Sequence, residues 1–248
     1  MKYSNVCYDS KTNNLLDIYS TQKQSKGTII CFHGGGIVSG SKEDDSLVLM
    51  AQSFNEKGYD YVSVNYRLYP NAKFPEYIED GAAAIRFIKD NARTYNLSNK
   101  LVVSGHSAGA YITLMLCLDS DYLEKQGIGN SDISAWISDS AQTTSHFNVI
   151  NIEEGLNPLI QRIDKYAPLY YINEKTSFHK MLLIYYSNDM PNRLEQNKLF
   201  KSAILSFNNK ANIKDVLLEG NHCDGSCKKN KDNEYPYVIE TIKFLEEN

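Results

Sequence analysis

The chain has 248 residues, 42% of them hydrophobic and 23% charged, a composition that supports a full core and excludes a disordered or membrane-embedded protein. Its formal net charge of −4, with both signs interspersed, offers no broad positive field to phosphate backbones or anionic lipid. Neither nucleic acid nor a membrane is expected as a partner, and the sequence leaves the oligomeric state open.

The opening residues, MKYSNVCYDS, lack the apolar run of a signal peptide, and no later stretch is apolar long enough to span a bilayer. A cytoplasmic location is the expectation. The cysteines, Cys7, Cys31, Cys117, Cys223 and Cys227, are odd in number in a chain too large to need disulfide staples, which fits a reducing compartment. With no internal repeat, linker or low-complexity tract, one α/β domain over residues 1–248 is expected.

In chain order, the first buried strand is expected at Thr28 to Phe32, apolar throughout and closed by His33-Gly34-Gly35-Gly36. A helix from about Leu47 to Lys57 ends at Gly58, and a strand from Tyr59 to Asn65 completes a βαβ unit. Phe74 to Tyr95 reads as a long helix with Pro75 near its first turn and Ile78, Ala82, Ile85 and Ala92 on its inward stripe. Lys100 to Ser104 is a strand, and Ala108 to Leu118 is apolar nearly all round, as in a helix buried beside the middle of a sheet. Further strands are expected at Ile133 to Ile137 and Met181 to Tyr186. Between them an insertion of weak periodicity, about 141–179, is expected to cap the site. Phe200, Ala203, Ile204 and Phe207 mark a helix, Val216 to Leu218 the last strand, and Val238, Ile242 and Leu245 a closing helix. This rhythm implies a mainly parallel sheet with helices on both faces.

Gly105-His106-Ser107-Ala108-Gly109 matches G-x-S-x-G between a strand and a helix, the context in which that pentapeptide lifts a nucleophile above a sheet. Glycine is needed on both sides because the turn is too sharp for side chains there. The plainer alternative is a turn whose serine merely caps the helix. His33-Gly34-Gly35-Gly36 supplies a second part: acyl transfer builds negative charge on a carbonyl oxygen, and preorganised backbone amides must meet it. The amides of Gly34 or Gly35, with that of Ala108, are the expected oxyanion donors.

These two motifs together resemble those of the esterase/lipase group of the α/β-hydrolase superfamily, the hormone-sensitive-lipase-like and related small esterases, and the likeness spans most of the chain. Asn65-Tyr66-Arg67-Leu68, with Pro70, Phe74-Pro75 and Asp80, resembles a further segment of that group, chiefly architectural in the family, so Arg67 and Asp80 are expected as structural polar partners.

Of the five histidines, His33 and His106 belong to the motifs, His146 and His179 lie in or beside the insertion, and His222 alone follows the last strand. The family carries its base on that loop, so the resemblance implies His222 as the base. Family order places the acid after the strand Met181 to Tyr186 and so implies Asp189, although Tyr186 stands where the family commonly has Gly. Asp139 is the runner-up, and Asp224 is too near His222 along the chain. His222-Cys223-Asp224 with Cys227 has the short spacing of zinc ligands, but no second ligand pair stands nearby, and loop packing is the simpler reading.

The resemblance implies a serine carboxylesterase acting on small esters through Ser107, His222 and Asp189, with no metal or organic cofactor. Tyr166, Tyr170 and Tyr171 are most simply core and lid packing, with stacking on an aryl or sugar group as the functional alternative. Aryl formamidase, amidase, peptidase and acyltransferase activities would use the same site. A catalytically silent ligand-binding homologue is the alternative of another class.

Overall fold

The computed structural model describes residues 1–21 and 23–247. Two strands absent from the sequence reading open the chain: β1 (Lys2–Asp9) and β2 (Asn14–Tyr19), paired antiparallel. The expected first strand is therefore the third, β3 (Thr28–Phe32). It is buried at every position, with Ile30 and Phe32 facing one core layer and Ile29 and Cys31 the other.

Helix α1 (Asp45–Glu56) gives way to Gly58, whose φ of 91° is a conformation that glycine adopts freely, and β4 (Asp60–Val64) follows. Helix α2 (Glu76–Asn91) is shorter at both ends than expected: Pro75 stands just outside its first turn, and the chain passes into turns from Ala92. Next come β5 (Leu101–His106) and α3 (Ala108–Leu118), whose residues are buried from Ala108 to Cys117. The short α4 (Asp121–Glu124) leads to β6 (Ile133–Asp139), and β7 (Met181–Asn188), α5 (Arg193–Phe207) and β8 (Ile213–Asn221) follow. The chain closes with α6 (Asp224–Cys227) and α7 (Pro236–Glu246).

The eight strands lie in the order β1-β2-β4-β3-β5-β6-β7-β8. β2 runs antiparallel to β4, and every pairing from β4 to β8 is parallel. Ile85 of α2, Ile112 of α3 and Phe200 of α5 pack on one face, and Phe54 of α1 with Tyr237 and Phe244 of α7 pack on the other. This is the α/β-hydrolase architecture. Parallel strands bring the loops after β3, β5, β6, β7 and β8 to one rim, where ligands of open α/β sheets bind.

The segment between β6 and β7 holds only short helical turns, at Val149–Glu153 and Pro168–Tyr171. Asn148 Nδ2 donates to the Gly36 carbonyl (2.6 Å) and the Tyr111 hydroxyl to the Tyr166 carbonyl (2.7 Å), so this segment braces the glycine loop and α3. Among the described residues no helix is long and apolar enough to cross a membrane.

Candidate active site

Ser107 occupies the junction of β5 and α3 with φ 53° and ψ −111°, a left-handed turn that holds its side chain off the sheet end. The flanking glycines are sterically enforced. A Cβ on Gly105 would lie 2.2 Å from the Gly109 carbonyl, and one on Gly109 would lie 2.0 Å from the Phe32 carbonyl oxygen at the end of β3. The serine makes no side-chain cap to α3, which sets aside the helix-cap alternative.

Its hydroxyl instead meets a histidine 115 residues away: Ser107 Oγ donates to His222 Nε2 at 2.8 Å. His222 Nδ1 donates in turn to Asp189 Oδ1 at 2.5 Å. Asp189 follows β7 and His222 follows β8, so the sheet brings together the three side chains named from the sequence. The Asp189 side chain is almost wholly enclosed. Burial would raise its pKa, but hydrogen bonds from His222, from Ser140 Oγ (2.6 Å) and from the Met190 amide (2.7 Å) hold it below the usual carboxylate range. The ring is thus fixed with Nδ1 protonated and Nε2 free to accept from the serine.

Gly34 lies against the nucleophile, and a Cβ there would touch Ser107 Cβ at 3.4 Å. At Gly35, φ is 102°, and a Cβ would meet the Ser39 carbonyl oxygen at 2.1 Å, so only glycine fits that turn. Among the described residues the amides of Gly34 and Gly35 donate to no group of the chain, and Ala108 opens α3 with its amide at the positive helix end. His33 is buried and kept neutral by its burial, and its Nδ1 donates to the Gly34 carbonyl at 2.7 Å. Its ring stacks on Tyr66, whose hydroxyl donates to the His33 carbonyl. Arg67 and Asp80 pair through several hydrogen bonds at 2.8–3.1 Å behind this loop.

The other sequence alternatives go elsewhere. Asp139 is wholly buried and accepts from His106 Nδ1 at 2.8 Å, out of the Asp189 position. Burial would lower the His106 pKa, but Cys31 and Asp139 beside it push it up to about 10. His146 is buried against Phe147 and pushed down to about 3 by burial and by Arg193, and His179 is exposed. Asp224 accepts from the Asn221 amide and pairs with Lys228. Cys223 is buried beside His222, Cys227 is exposed, and both are free thiols.

A cleft of about 490 Å³ opens beside Ser107 and His222, walled by His33, Asp44, Leu47 and Cys227. None of the three tyrosines walls it: Tyr166 packs edge-on against Phe74, and Tyr170 packs edge-on against Tyr171. Sequence reasoning missed Ser140, Ser226 and Asn148. Each is an isolated polar residue outside any motif, visible only once the strand ends are assembled.

The curated relatives include acetyl esterases of Salmonella paratyphi B and Salmonella agona, each 29% identical over 102 residues. That stretch is 41% of this chain and 31% of theirs, so the chain spans about a third of the length of these relatives. Among solved structures, esterase 2 of Thermogutta terrifontis superposes with a TM-score of 0.78 at 21% identity, covering 97% of this chain and 92% of that one. Esterase B of Lactobacillus rhamnosis superposes at 0.76 with 16% identity, covering 98% and 82%. These likenesses establish the fold. The family model described as BD-FAE matches residues 16–154, more than half of the chain. The chain belongs to the BD-FAE family of α/β hydrolases.

Proposed function

We propose that this protein is a serine carboxylesterase that cleaves small carboxylic esters through an acyl-enzyme on Ser107. The observation that carries the reading is the unbroken hydrogen-bond chain from Ser107 Oγ through the His222 ring to Asp189. Ser107 Oγ bonds to the ester carbonyl carbon while its proton passes to His222 Nε2. The resulting oxyanion rests on the amides of Gly34, Gly35 and Ala108, where helix α3 adds its positive end. Collapse breaks the carbon–oxygen bond to the alcohol, which leaves with the proton from His222. Water then gives a proton to the same nitrogen and attacks the acyl carbon, releasing the acid and restoring the serine. Asp189 stays ionised and stabilises the imidazolium.

The matched relatives are named acetyl esterases, and the Thermogutta esterase has been described phosphoramylated by tabun and with propionate or butyrate bound. These names support an ester substrate with a short acyl chain, and a cleft of about 490 Å³ is large enough for one. The test is a series of p-nitrophenyl esters of increasing acyl length, with Ser107→Ala as control. Hydrolysis that is strongest for short acyl groups and lost in the control supports the proposal. A folded wild-type protein without Ser107-dependent turnover of any ester contradicts it and favours a ligand-binding role.

A further inference from the structure

The turn that carries His222 leaves an edge strand, so the sheet holds it from one side only. β8 is an edge strand paired only with β7, eight of its nine residues are exposed or partly so, and the pairing slips between Tyr186 and Asn188, just before the rim. The helix after the turn, α6, has only four residues, and Cys223 enters it in a left-handed conformation, φ 58°. Asp189 holds the imidazole itself, and further hydrogen bonds hold the turn that carries it.

They converge on Asp139, at the end of β6. Its buried carboxylate accepts from Ser226 Oγ of α6 (2.9 Å), from the Tyr186 hydroxyl of β7 (2.9 Å) and from His106 Nδ1 of β5 (2.8 Å). Both loop-side partners reach the histidine turn: Ser226 Oγ also lies 2.9 Å from the Cys223 carbonyl, and the Tyr186 hydroxyl accepts from the Gly225 amide at 3.1 Å. The Asp139 carbonyl, in turn, accepts from the Ser107 amide at 2.8 Å. One residue therefore holds the nucleophile turn through its backbone and the base turn through its side chain.

We propose that Asp139 is a positioning residue for His222, its carboxylate holding the β8–α6 turn through Ser226 and Tyr186 so that the imidazole stays within hydrogen-bonding reach of Ser107. This rests on the esterase reading for its kinetic consequence but not for its structural one. A charged acceptor makes stronger hydrogen bonds than a neutral one, and small misplacements of a base have large effects on rate.

The test severs the tethers while leaving Asp139 and His106 intact: Ser226→Ala, Tyr186→Phe and the double variant. With p-nitrophenyl acetate, each single variant should lose about tenfold in kcat and the double about 100-fold, with KM changed less than about twofold. In proton NMR, the downfield His222 Nδ1–H resonance, assigned by its absence from His222→Ala, should shift or broaden in step. A folded double variant with wild-type kcat or an unmoved resonance overturns the proposal. Should the double variant fail to fold, Ser226→Ala is read by the same criteria. If the wild type shows no Ser107-dependent turnover, the esterase reading falls alone, because the resonance still reports whether the tethers position the ring.

Discussion

Ser140 Oγ donates a 2.6 Å hydrogen bond to Asp189 Oδ2, while His222 engages the other oxygen of the same carboxylate. Ser140 directly follows Asp139, and its own amide is held by the Ile184 carbonyl, so β6 and β7 fix the acid independently of the histidine turn. Ser140→Ala should cost about 1.5–3 kcal/mol of stability, because a buried carboxylate loses a donor, and melting should fall by roughly 5 °C. The sign with pH follows from the depressed Asp189 pKa: its stabilising contribution is present above the unfolded carboxylate value, about pH 4, and is lost as pH falls through the folded value. Without Ser140 the folded value lies closer to the unfolded one, so that loss should be smaller and complete at a higher pH. Thermal melts of both proteins between pH 3 and pH 7 measure it; superimposable curves would contradict it.

The His106–Asp139 pair has the opposite pH signature. With the His106 pKa pushed up to about 10, its contribution is fully present below the unfolded histidine value, about 6.5, and is lost as pH rises through about 10. Asp139→Asn should lower stability at pH 6 by about 3–5 kcal/mol, since it takes from the buried His106 ring the carboxylate that, with Cys31, favours its charge. It should also flatten the decline in melting temperature between pH 7 and pH 10. A variant that melts like the wild type at pH 6 would show that the pair is not charged.

Two glycine substitutions separate packing from chemistry. Gly109→Ala places a methyl 2.0 Å from the Phe32 carbonyl oxygen and should destabilise by at least about 3 kcal/mol or prevent folding. Gly34→Ala meets only ordinary contacts near 3.4 Å, one of them Ser107 Cβ. It should melt within about 1 kcal/mol of the wild type yet lose at least about tenfold in kcat/KM, because the methyl crowds the nucleophile and the amide beside it. Expression, melting and ester turnover of both variants decide the point; equal activity of Gly34→Ala and wild type would show that a methyl at residue 34 does not crowd Ser107 or the oxyanion.

Arg193 is 4% exposed, and its Nε and Nη1 find no hydrogen-bond partner among the described residues; burial pushes its pKa down to about 10. An unpaired buried cation is costly, so Arg193→Met should leave the melting temperature unchanged or raise it. A fall of more than about 5 °C in a differential scanning experiment would show that the guanidinium is stabilising where it lies.

What the sequence made legible follows physical necessity. β3 and α3 are buried on all sides and read as unbroken apolar runs, and the elbow around Ser107 tolerates nothing but glycine at Gly105 and Gly109. The β1–β2 hairpin escaped because β1 is exposed along most of its length. β2 hides a buried Asp17, paired with Lys42 Nζ at 2.8 Å, where an apolar residue would have signalled a strand. β8 runs beyond the expected Val216 to Leu218 for a related reason: an edge strand carries Lys214 and Glu219 facing water and Asp215 paired with Lys201, where apolar residues would have signalled it. His222 and Asp189 could be named only by their order after strands, through the family resemblance. Ser140 and Ser226 belong to no motif, and their roles arise where β6, β7 and α6 converge.

The most direct measurement is intact-protein and peptide mass spectrometry after treatment with a fluorophosphonate. The account predicts one adduct per chain, on Ser107, absent from Ser107→Ala and formed far more slowly by His222→Ala. A folded wild-type protein that takes no label, or takes it on another residue, would contradict the claim that His222 activates Ser107 as the nucleophile.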